Sequence, residues 1–199
     1  MCGNFALFSS VQAIKVYYQL LKDIGELPPN EDIRPTQKVP VVVIKDGRNY
    51  LGIIRWGLIP HWATDTKIGD RLFNARAETI DVKTSFKQSF LKRRCLIPAN
   101  GFSEWRKPDK AKFYFSLRSR ELFSFAGIWE VWKSPEGVTI PSCTIITTEP
   151  NSIISPVHDR MPVILKREDE EIWLKNEDTI VLKKLLIPYP AQEMQVVQK

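Results

Sequence analysis

The stretch RCLIPANGFSEW, residues 94–105, places two runs of strand-forming residues on either side of a Pro-Ala-Asn-Gly break. Apolar, β-branched and aromatic residues bounded by proline, asparagine and glycine are typical of consecutive β-strands. The pattern predicts strands at 94–98 and 101–106. Similar runs elsewhere predict strands at 113–117, 124–132 and 139–147.

The chain before this stretch predicts a hairpin and one helix. Asp46-Gly47 interrupts the β-branched run VVVIKDGRNYLGII (41–54) and is a typical hairpin turn. Ser9 and Ser10 are candidate N-caps, followed by apolar residues at helical spacing. The helical positions are Ile14, Tyr17 or Tyr18, and Leu21. The four prolines of LPPNEDIRPTQKVP (27–40) predict a connecting loop.

The remaining segments predict little more helix. Short helices are expected around 80–94, and one or two surface helices between 167 and 186, where Trp173 and other apolar residues alternate with charges. The segment 193–198 is expected to return as an edge strand. Many strands, few helices and no β-α-β alternation predict a mainly β, α+β fold with a curved, barrel-like sheet, in one domain spanning residues 1–199.

Composition limits the class of protein. The 199 residues are 43% hydrophobic and 26% charged, as in ordinary globular domains. No apolar run reaches the roughly 20 residues of a membrane helix, and the start lacks the pattern of a secretion signal, so we expect a cytoplasmic protein without a membrane partner. The net charge of +6 favours a polyanionic partner without identifying it.

Three cysteines, Cys2, Cys95 and Cys143, are widely spaced, and the chain has two histidines. This spacing argues against a zinc site and against a disulfide framework. Cys95 and Cys143 lie in apolar runs and are expected to pack in the core. Cys2 is different because removal of Met1 would leave it with an amine and a thiol on adjacent carbons, which is a 1,2-aminothiol.

The usual phosphate-loop, dinucleotide, zinc-protease and serine-hydrolase motifs are missing, so these chemistries are not leading hypotheses. Polar and aromatic residues instead gather in RWGLIPHW (55–62), NARAET (74–79), IPANGFSEW (97–105) and HDRMP (158–162). The tryptophans of these clusters, Trp56, Trp62 and Trp105, are expected in the core more often than on a base-stacking surface.

Glu104 is the strongest single candidate for proton transfer. Strand alternation would place its carboxylate among apolar neighbours, and burial raises the pKa of a carboxyl group toward neutrality. His158 is a second candidate on the same reasoning. A structural role for either side chain remains the alternative on the residues alone.

Seven blocks in order resemble the SOS-response-associated peptidase (SRAP) family, from Met1 to about Leu165. The blocks are MCGNF, RWGLIPHW, NARAET, RCLIPANGFSEW, FAGIWE, CTIITTEPN and HDRMPVIL. The resemblance implies a compact α+β domain that senses abasic sites in single-stranded DNA and caps them covalently through its N-terminal cysteine, within the DNA damage response.

By motif position, the resemblance implies a catalytic set of Cys2, Asn74, Glu104 and His158, with Arg76 and Arg160 on the DNA backbone. An aromatic such as Trp62 is expected to stack on flanking bases. Asn4 is a further candidate DNA-binding position, and it departs from the family, whose members usually carry arginine there. The effect of Asn4 on DNA affinity or strand geometry is therefore open.

The chemistry that the resemblance implies is a Schiff base between the Cys2 amine and the open aldehyde of the sugar, closed by the thiol to a thiazolidine ring. It calls for no metal and no small-molecule cofactor, and we expect a monomer that binds single-stranded DNA. Two alternatives stay open: a peptidase or amidohydrolase with an N-terminal cysteine nucleophile, and a module that binds single-stranded nucleic acid without covalent chemistry.

Overall fold

The computed structural model describes residues 2–20, 25–119 and 121–199, and in these ranges the chain is mainly β. The strands are β1 (Phe5–Leu7), β2 (Asn30–Ile33), β3 (Lys38–Lys45), β4 (Arg48–Trp56), β5 (Asn74–Arg76), β6 (Arg94–Ala99), β7 (Gly101–Trp105), β8 (Lys112–Leu117), β9 (Phe123–Lys133), β10 (Thr139–Thr148), β11 (Met161–Pro162), β12 (Ile164–Leu165) and β13 (Met194–Gln198). The helices are α1 (Val11–Tyr18), α2 (Lys87–Lys92), α3 (Asp169–Lys175) and α4 (Thr179–Lys184). Short 3-10 turns cover Thr66–Asp70, Ala77–Thr79 and Ala191–Glu193.

A closed barrel of five strands forms the centre of the fold. Its strands follow the order β10-β4-β3-β6-β9, and the pairing of β9 with β10 closes the ring. The β10–β4 contact is parallel, whereas the other four contacts are antiparallel. Closure removes the free edges that an open sheet would expose. The predicted barrel-like sheet in a single domain is confirmed.

Short strands extend the barrel on the side of β10. The strand β5 runs parallel to β10, with Asn74 opposite Ile145 and Arg76 opposite Thr147. The strand β11 pairs with the last residues of β10, from Thr147 onward. The residues that follow β5 and the residues that precede β11 are therefore brought together at the carboxyl end of β10, although they lie far apart in the sequence.

A second sheet of five strands has the order β13-β8-β7-β1-β2. In this sheet β1 lies between two antiparallel neighbours, because Phe5 pairs with Phe102 of β7 on one side and with Ile33 of β2 on the other. The start of the chain is thus held inside a sheet. Edge-on aromatic contacts join the sheet to the barrel, with ring centroids 5.2 Å apart for Phe5–Trp56 and 5.7 Å for Phe5–Phe125.

The strands predicted at 94–98, 101–106, 113–117, 124–132 and 139–147 are confirmed, with ends that differ by one residue at most. The two strands of the predicted hairpin extend beyond the run 41–54, because β3 begins at Lys38 and β4 ends at Trp56. Asp46 and Gly47 both have positive φ, at 48° and 72°, and form the predicted turn between β3 and β4. The loop prediction for 27–40 was wrong in part, because β2 occupies four of its residues and β3, which begins at Lys38, takes its last three. Of these four, Ile33 is the buried one, so the segment carries almost no apolar alternation for a sequence pattern to detect.

The predicted first helix is confirmed as α1. The Ser10 side chain accepts a hydrogen bond from the Ala13 amide, at 3.1 Å, and Ile14 and Tyr18 face the core. Leu21, the last predicted helical position, lies outside the described residues. The two tail helices α3 and α4 and the edge strand β13 are also confirmed. None of the described helices has the length and apolar character needed to span a bilayer.

Candidate active site at the start of the chain

Cys2 lies just before β1 and is fully buried. The Asn74 side-chain amide donates a hydrogen bond to the Cys2 carbonyl, at 2.8 Å, and the Ser103 amide donates to the Asn4 carbonyl, at 3.0 Å. Asn74 begins β5 and Ser103 lies in β7, so both the barrel extension and the second sheet hold this segment. The backbone of Cys2 is fixed in place.

Glu104 follows Ser103 in β7 and lies under the surface, with 4% of its area exposed. Burial raises the pKa of the Glu104 carboxyl to about 7. The expected burial and pKa shift of Glu104 are therefore confirmed. A carboxyl group with this pKa accepts and releases a proton readily at neutral pH.

His158 approaches Glu104 from the loop that connects β10 to β11. Its Nε2 atom lies 3.9 Å from Glu104 Oε2. On the other side of the ring, Nδ1 accepts a hydrogen bond from the Arg160 amide at 3.0 Å, and Asp159 Oδ1 lies 3.0 Å from the same atom. Burial lowers the pKa of His158, which favours the neutral imidazole.

The environment of Cys2 favours a protonated thiol. Burial, and after it the charge of Glu104, raise the pKa of the Cys2 thiol far above its ordinary value. The thiolate form of Cys2 is therefore not favoured in this structure. Any reaction in which the sulfur acts as a nucleophile would need a base to take the thiol proton, and Glu104 is the charged group that acts on the thiol most strongly.

Asn74 has a second polar atom directed into the site. Its Oδ1 atom is buried and accepts no hydrogen bond from the described residues. A buried acceptor of this kind is costly unless it receives a donor. Asn74 can therefore fix the Cys2 backbone with its amide group and still accept a hydrogen bond from an amine or a sugar hydroxyl.

The two candidate DNA-binding arginines differ in their surroundings. Arg76, the last residue of β5, is exposed. The Arg160 guanidinium donates to both carboxylate oxygens of Glu78, at 2.6 and 3.0 Å, and to the Thr147 carbonyl, at 2.7 Å. Arg76 is thus presented to solvent, whereas Arg160 is held by an ion pair.

Asn4 is buried, and its side-chain amide donates to the Asp32 carboxylate on β2. Asp32 in turn accepts from Arg34, at 3.0 Å. Direct contact of Asn4 with DNA would require exposure of a side chain that is 1% exposed in this structure. The interaction that the structure gives Asn4 joins the first residues of the chain to β2.

The three tryptophans separate into one core residue and two surface residues. Trp56 is fully buried, as expected, whereas Trp62 is 48% exposed and Trp105 is 36% exposed. The core prediction was wrong for these last two. Trp62 lies on a turn held against β9, since the Trp132 indole donates to the Ala63 carbonyl at 2.8 Å. Its stacking on DNA bases stays a prediction.

The structure also gives contacts that the sequence analysis did not assign. Glu78, in the NARAET block, binds Arg160, which lies 82 residues further along the chain. Asp159 lies beside His158, and Asp32 binds Asn4. Glu78 and Asp159 lie in blocks already singled out, whereas Asp32 lies in the segment that was predicted to be a loop. The partners of Glu78 and Asp32 belong to other elements, whereas Asp159 adjoins its partner in the chain. Among the described residues no group of three or more His, Cys, Asp or Glu could hold a metal ion.

A mainly β domain that places the cysteine at position 2 beside a buried acid and a histidine has the residue types that chemistry at an N-terminal nucleophile uses. The chain belongs to the SRAP family, SOS response associated peptidase, whose family model matches residues 1–198. The expected family membership is confirmed.

Individual relatives agree with this assignment. The chain is 44% identical over 205 residues to the abasic site processing protein YoqW of Bacillus subtilis strain 168, covering 100% of this chain and 92% of the relative. It is 31% identical to the abasic site processing protein HMCES of Xenopus tropicalis, over 86% of this chain and 61% of that protein. A crystal structure of a protein from Bacteroides thetaiotaomicron superposes with a TM-score of 0.92 at 28% identity, over 99% of this chain and 91% of the other.

Proposed function

We propose that the protein processes abasic sites in single-stranded DNA by forming a covalent thiazolidine crosslink through Cys2 after removal of Met1. The observation that carries the proposal is the placement of the Cys2 backbone and thiol beside Asn74 and a glutamate whose pKa is about 7. The printed names of the curated relatives, abasic site processing proteins, support the same substrate. Met1 itself lies outside the described residues.

The first step joins nitrogen to carbon. The α-amine of Cys2 attacks the C1′ aldehyde of the open sugar, and loss of one water leaves an imine. A terminal amine has a pKa of about 7.7 to 8.0, so a useful fraction is unprotonated at neutral pH. In the second step the Cys2 sulfur adds to the imine carbon. The thiol proton ends on nitrogen, so the two steps together release one water.

Glu104 supplies the proton transfers that these steps need. Deprotonated Glu104 takes the proton of the buried Cys2 thiol as the ring closes, and protonated Glu104 donates to the leaving hydroxyl in the imine step. A pKa of about 7 keeps both forms populated near neutral pH. The same carboxyl can assist the opening of the closed hemiacetal form of the sugar.

His158 and Asn74 assist from either side. Neutral His158, with Nε2 at 3.9 Å from Glu104, stabilises the charge that Glu104 acquires and orients its carboxylate. Asn74 holds the Cys2 carbonyl and offers Oδ1 to the amine or to a sugar hydroxyl. This arrangement keeps the amine close to the position from which it attacks.

DNA is held mainly through its phosphates. The net charge of +6 and the exposed Arg76 favour binding that weakens as salt rises, without preference for sequence. A single strand can bend to bring its sugar to a recessed residue, whereas a duplex resists this bend. Trp62 offers a stacking surface for a flanking base.

The proposal is tested with an oligonucleotide that contains one abasic site. Wild-type protein is expected to give a shifted band that survives boiling in detergent, and intact-protein mass spectrometry is expected to show loss of Met1 and a DNA adduct smaller by one water than the sum of its parts. Cys2→Ala is expected to give no such band. Cys2→Ser and Cys2→Ala both keep the terminal amine, so both are expected to give an imine that borohydride traps but little adduct that survives boiling without it.

Each alternative has its own outcome in this experiment. A noncovalent binding module would retain the oligonucleotide in both variants and give no boiling-resistant band with wild type. A hydrolase would give no adduct and would instead cleave amide substrates in a Cys2-dependent reaction. A stable adduct of equal yield in Cys2→Ala would eliminate the thiazolidine mechanism.

A further inference from the structure

A partly buried ion pair involves Arg160, whose backbone amide contacts His158. The Arg160 side chain is 12% exposed. Two of its guanidinium nitrogens donate to the two carboxylate oxygens of Glu78, and one of them also donates to the Thr147 carbonyl. Bidentate pairs of this kind fix the orientation of arginine as well as its charge. The pairing lowers the pKa of Glu78, so Glu78 stays charged at neutral pH.

Glu78 is itself held in a rigid place. It lies in the 3-10 turn Ala77–Thr79, directly after β5, which also carries Asn74. The parallel pairing of β5 with β10 places Arg76 opposite Thr147. Glu78 and the Thr147 carbonyl therefore form one fixed receptor for the Arg160 guanidinium, built on the strands that also hold the start of the chain.

The backbone of Arg160 acts on the imidazole. Its amide donates to His158 Nδ1 at 3.0 Å, and an acceptor Nδ1 places the ring proton on Nε2, the nitrogen that faces Glu104. Asp159 Oδ1 lies at the same distance from Nδ1 and would favour the opposite tautomer, with the proton on Nδ1. The position of the Arg160 amide therefore decides whether Nε2, which faces Glu104, carries the ring proton.

We propose that Glu78 is a positioning residue for the reaction: by anchoring Arg160, it holds the Arg160 amide against His158 Nδ1 and keeps the ring proton on Nε2, directed at Glu104. This inference rests on the proposed function and deepens it. The positioning role of Glu78 differs from what is expected if Arg160 binds a DNA phosphate. In that case Glu78 would only compete with the phosphate for the guanidinium.

The two roles predict opposite kinetics in Glu78→Gln. If Glu78 is a positioning residue, the substitution changes the rate of adduct formation at saturating abasic DNA. We expect this rate to fall about tenfold, which is less than the roughly 10²–10⁴-fold contribution of a well-placed acid or base. The DNA concentration for half-maximal rate is expected to stay the same or to fall, since Arg160 is released toward phosphate. Glu78→Asp is expected to recover part of the rate.

The exposed ion pair of Glu171 with Lys175 on α3 provides a matched control. Glu171→Gln removes a comparable charge and is expected to leave both kinetic quantities within about twofold of wild type, as for an exposed ion pair of small energetic weight. Thermal unfolding of both variants, followed by circular dichroism, confirms that rates are compared between folded proteins.

The tautomer can be measured without DNA. The chain has two histidines, so His61→Gln assigns the ring signals of His158 in long-range ¹H–¹⁵N spectra. Wild type is expected to show the proton on Nε2, and Glu78→Gln is expected to show a mixture or the proton on Nδ1. The charged groups that act on this ring include the terminal amine of the chain, Glu104, Asp159 and Lys107, and they are the same in both proteins.

An unchanged tautomer in Glu78→Gln, or an unchanged rate at saturating DNA with tighter binding, overturns the inference and leaves Glu78 as a competitor for Arg160. If wild type forms adduct normally, these results leave the proposed function intact. A wild type that forms no adduct overturns the proposed function instead, and the tautomer measurement then still decides whether Glu78 sets the state of His158.

Discussion

Two corners of the molecule each place a buried glutamate beside a histidine: the first corner is Glu104 with His158, and the second, structural corner is Glu130 with His61. They differ in the other groups that contact the glutamate. Glu104 lies 3.9 Å from a largely buried His158. Glu130 of β9 lies 3.4 Å from His61, a histidine with 55% of its side chain exposed, and accepts hydrogen bonds from Arg93 and the Val131 amide. A guanidinium fixes Glu130 as one half of a structural ion pair. Burial beside a histidine is therefore not enough to predict a proton-transfer role, because the other partners of the carboxylate also differ between the two places.

The largest effect that separates the two corners is expected in the rate of adduct formation. Glu104→Gln removes the proton-transfer group and is expected to lower the rate by about 10²–10⁴-fold. Glu130→Gln is expected to change the rate of the folded protein by less than about twofold, given that its partners are structural. Both rates are measured at saturating abasic DNA. A comparable loss in Glu130→Gln would abolish the distinction between the corners.

The free energy of unfolding is expected to show the opposite order, with the larger loss in Glu130→Gln rather than in Glu104→Gln. Glu130→Gln leaves Arg93 without its charged partner and is expected to cost about 2–3 kcal/mol in the free energy of unfolding, measured with urea. Glu104→Gln at pH 8 is expected to raise the free energy of unfolding instead, because it replaces a buried carboxylate by a neutral isostere.

The size of the Glu104 effect depends on pH. The carboxyl has a pKa of about 7 when folded and 4.5 in its reference state, so between these values the native state holds a proton that the unfolded chain has released. Stability from this group is therefore present at low pH and lost as pH rises through 7, by roughly 3 kcal/mol in all. The difference between Glu104→Gln and wild type should grow from pH 4 to pH 8. A difference that is flat with pH would contradict the assigned pKa.

The two histidines allow a finer comparison. His158→Gln is expected to slow adduct formation about tenfold, since the ring that faces Glu104 is lost. His61→Gln is expected to leave the rate unchanged within about twofold, because His61 lies at the structural corner. Single-turnover rates with matched protein and DNA concentrations measure both. Equal slowing by the two substitutions would mean that the second corner also takes part in the reaction.

The smallest effect concerns DNA affinity at the second corner. Trp62 adjoins His61 and is exposed, so Trp62→Ala is expected to weaken binding of single-stranded DNA by about 1 kcal/mol while the rate at saturation is kept. Fluorescence anisotropy with a labelled oligonucleotide measures the affinity. Trp105→Ala is the control, since Trp105 is also exposed but is covered by Lys112, whose Nζ atom lies 5.4 Å from its ring. Equal weakening in the two variants would indicate a nonspecific effect of surface aromatics.

The sequence predicted the elements that local patterns encode. The Asp46-Gly47 turn, the strands around Gly101–Trp105 and the capped helix after Ser10 each depend on neighbouring residues, so their patterns are readable. Strand alternation likewise placed Glu104 inside. The barrel closure was visible only as a curved sheet, because the pairing of β9 with β10 and β4 with β10 depends on contacts across the whole chain.

The site was predicted through motif order rather than through geometry. Sequence patterns could not show that Asn4 turns toward Asp32, or that Glu78 binds Arg160, because each bond joins elements that are distant in the chain. The strand β2 was missed because its exposed residues resemble a loop and its pairing with β1 supplies the order. Long-range partners, rather than residue types, are the part of the site that the sequence leaves open.

The placement of β1 between β2 and β7 has a mechanical consequence for a covalent complex. Cys2 is separated from the paired strand by only Gly3 and Asn4, so tension on an attached DNA strand would reach β1 almost directly. Pulling along β1 loads the hydrogen bonds to both antiparallel neighbours in shear, and they must yield together rather than one after another. The lesion would be anchored to the interior of a sheet, and the attachment would resist the pull of a translocating motor better than a loose chain end could.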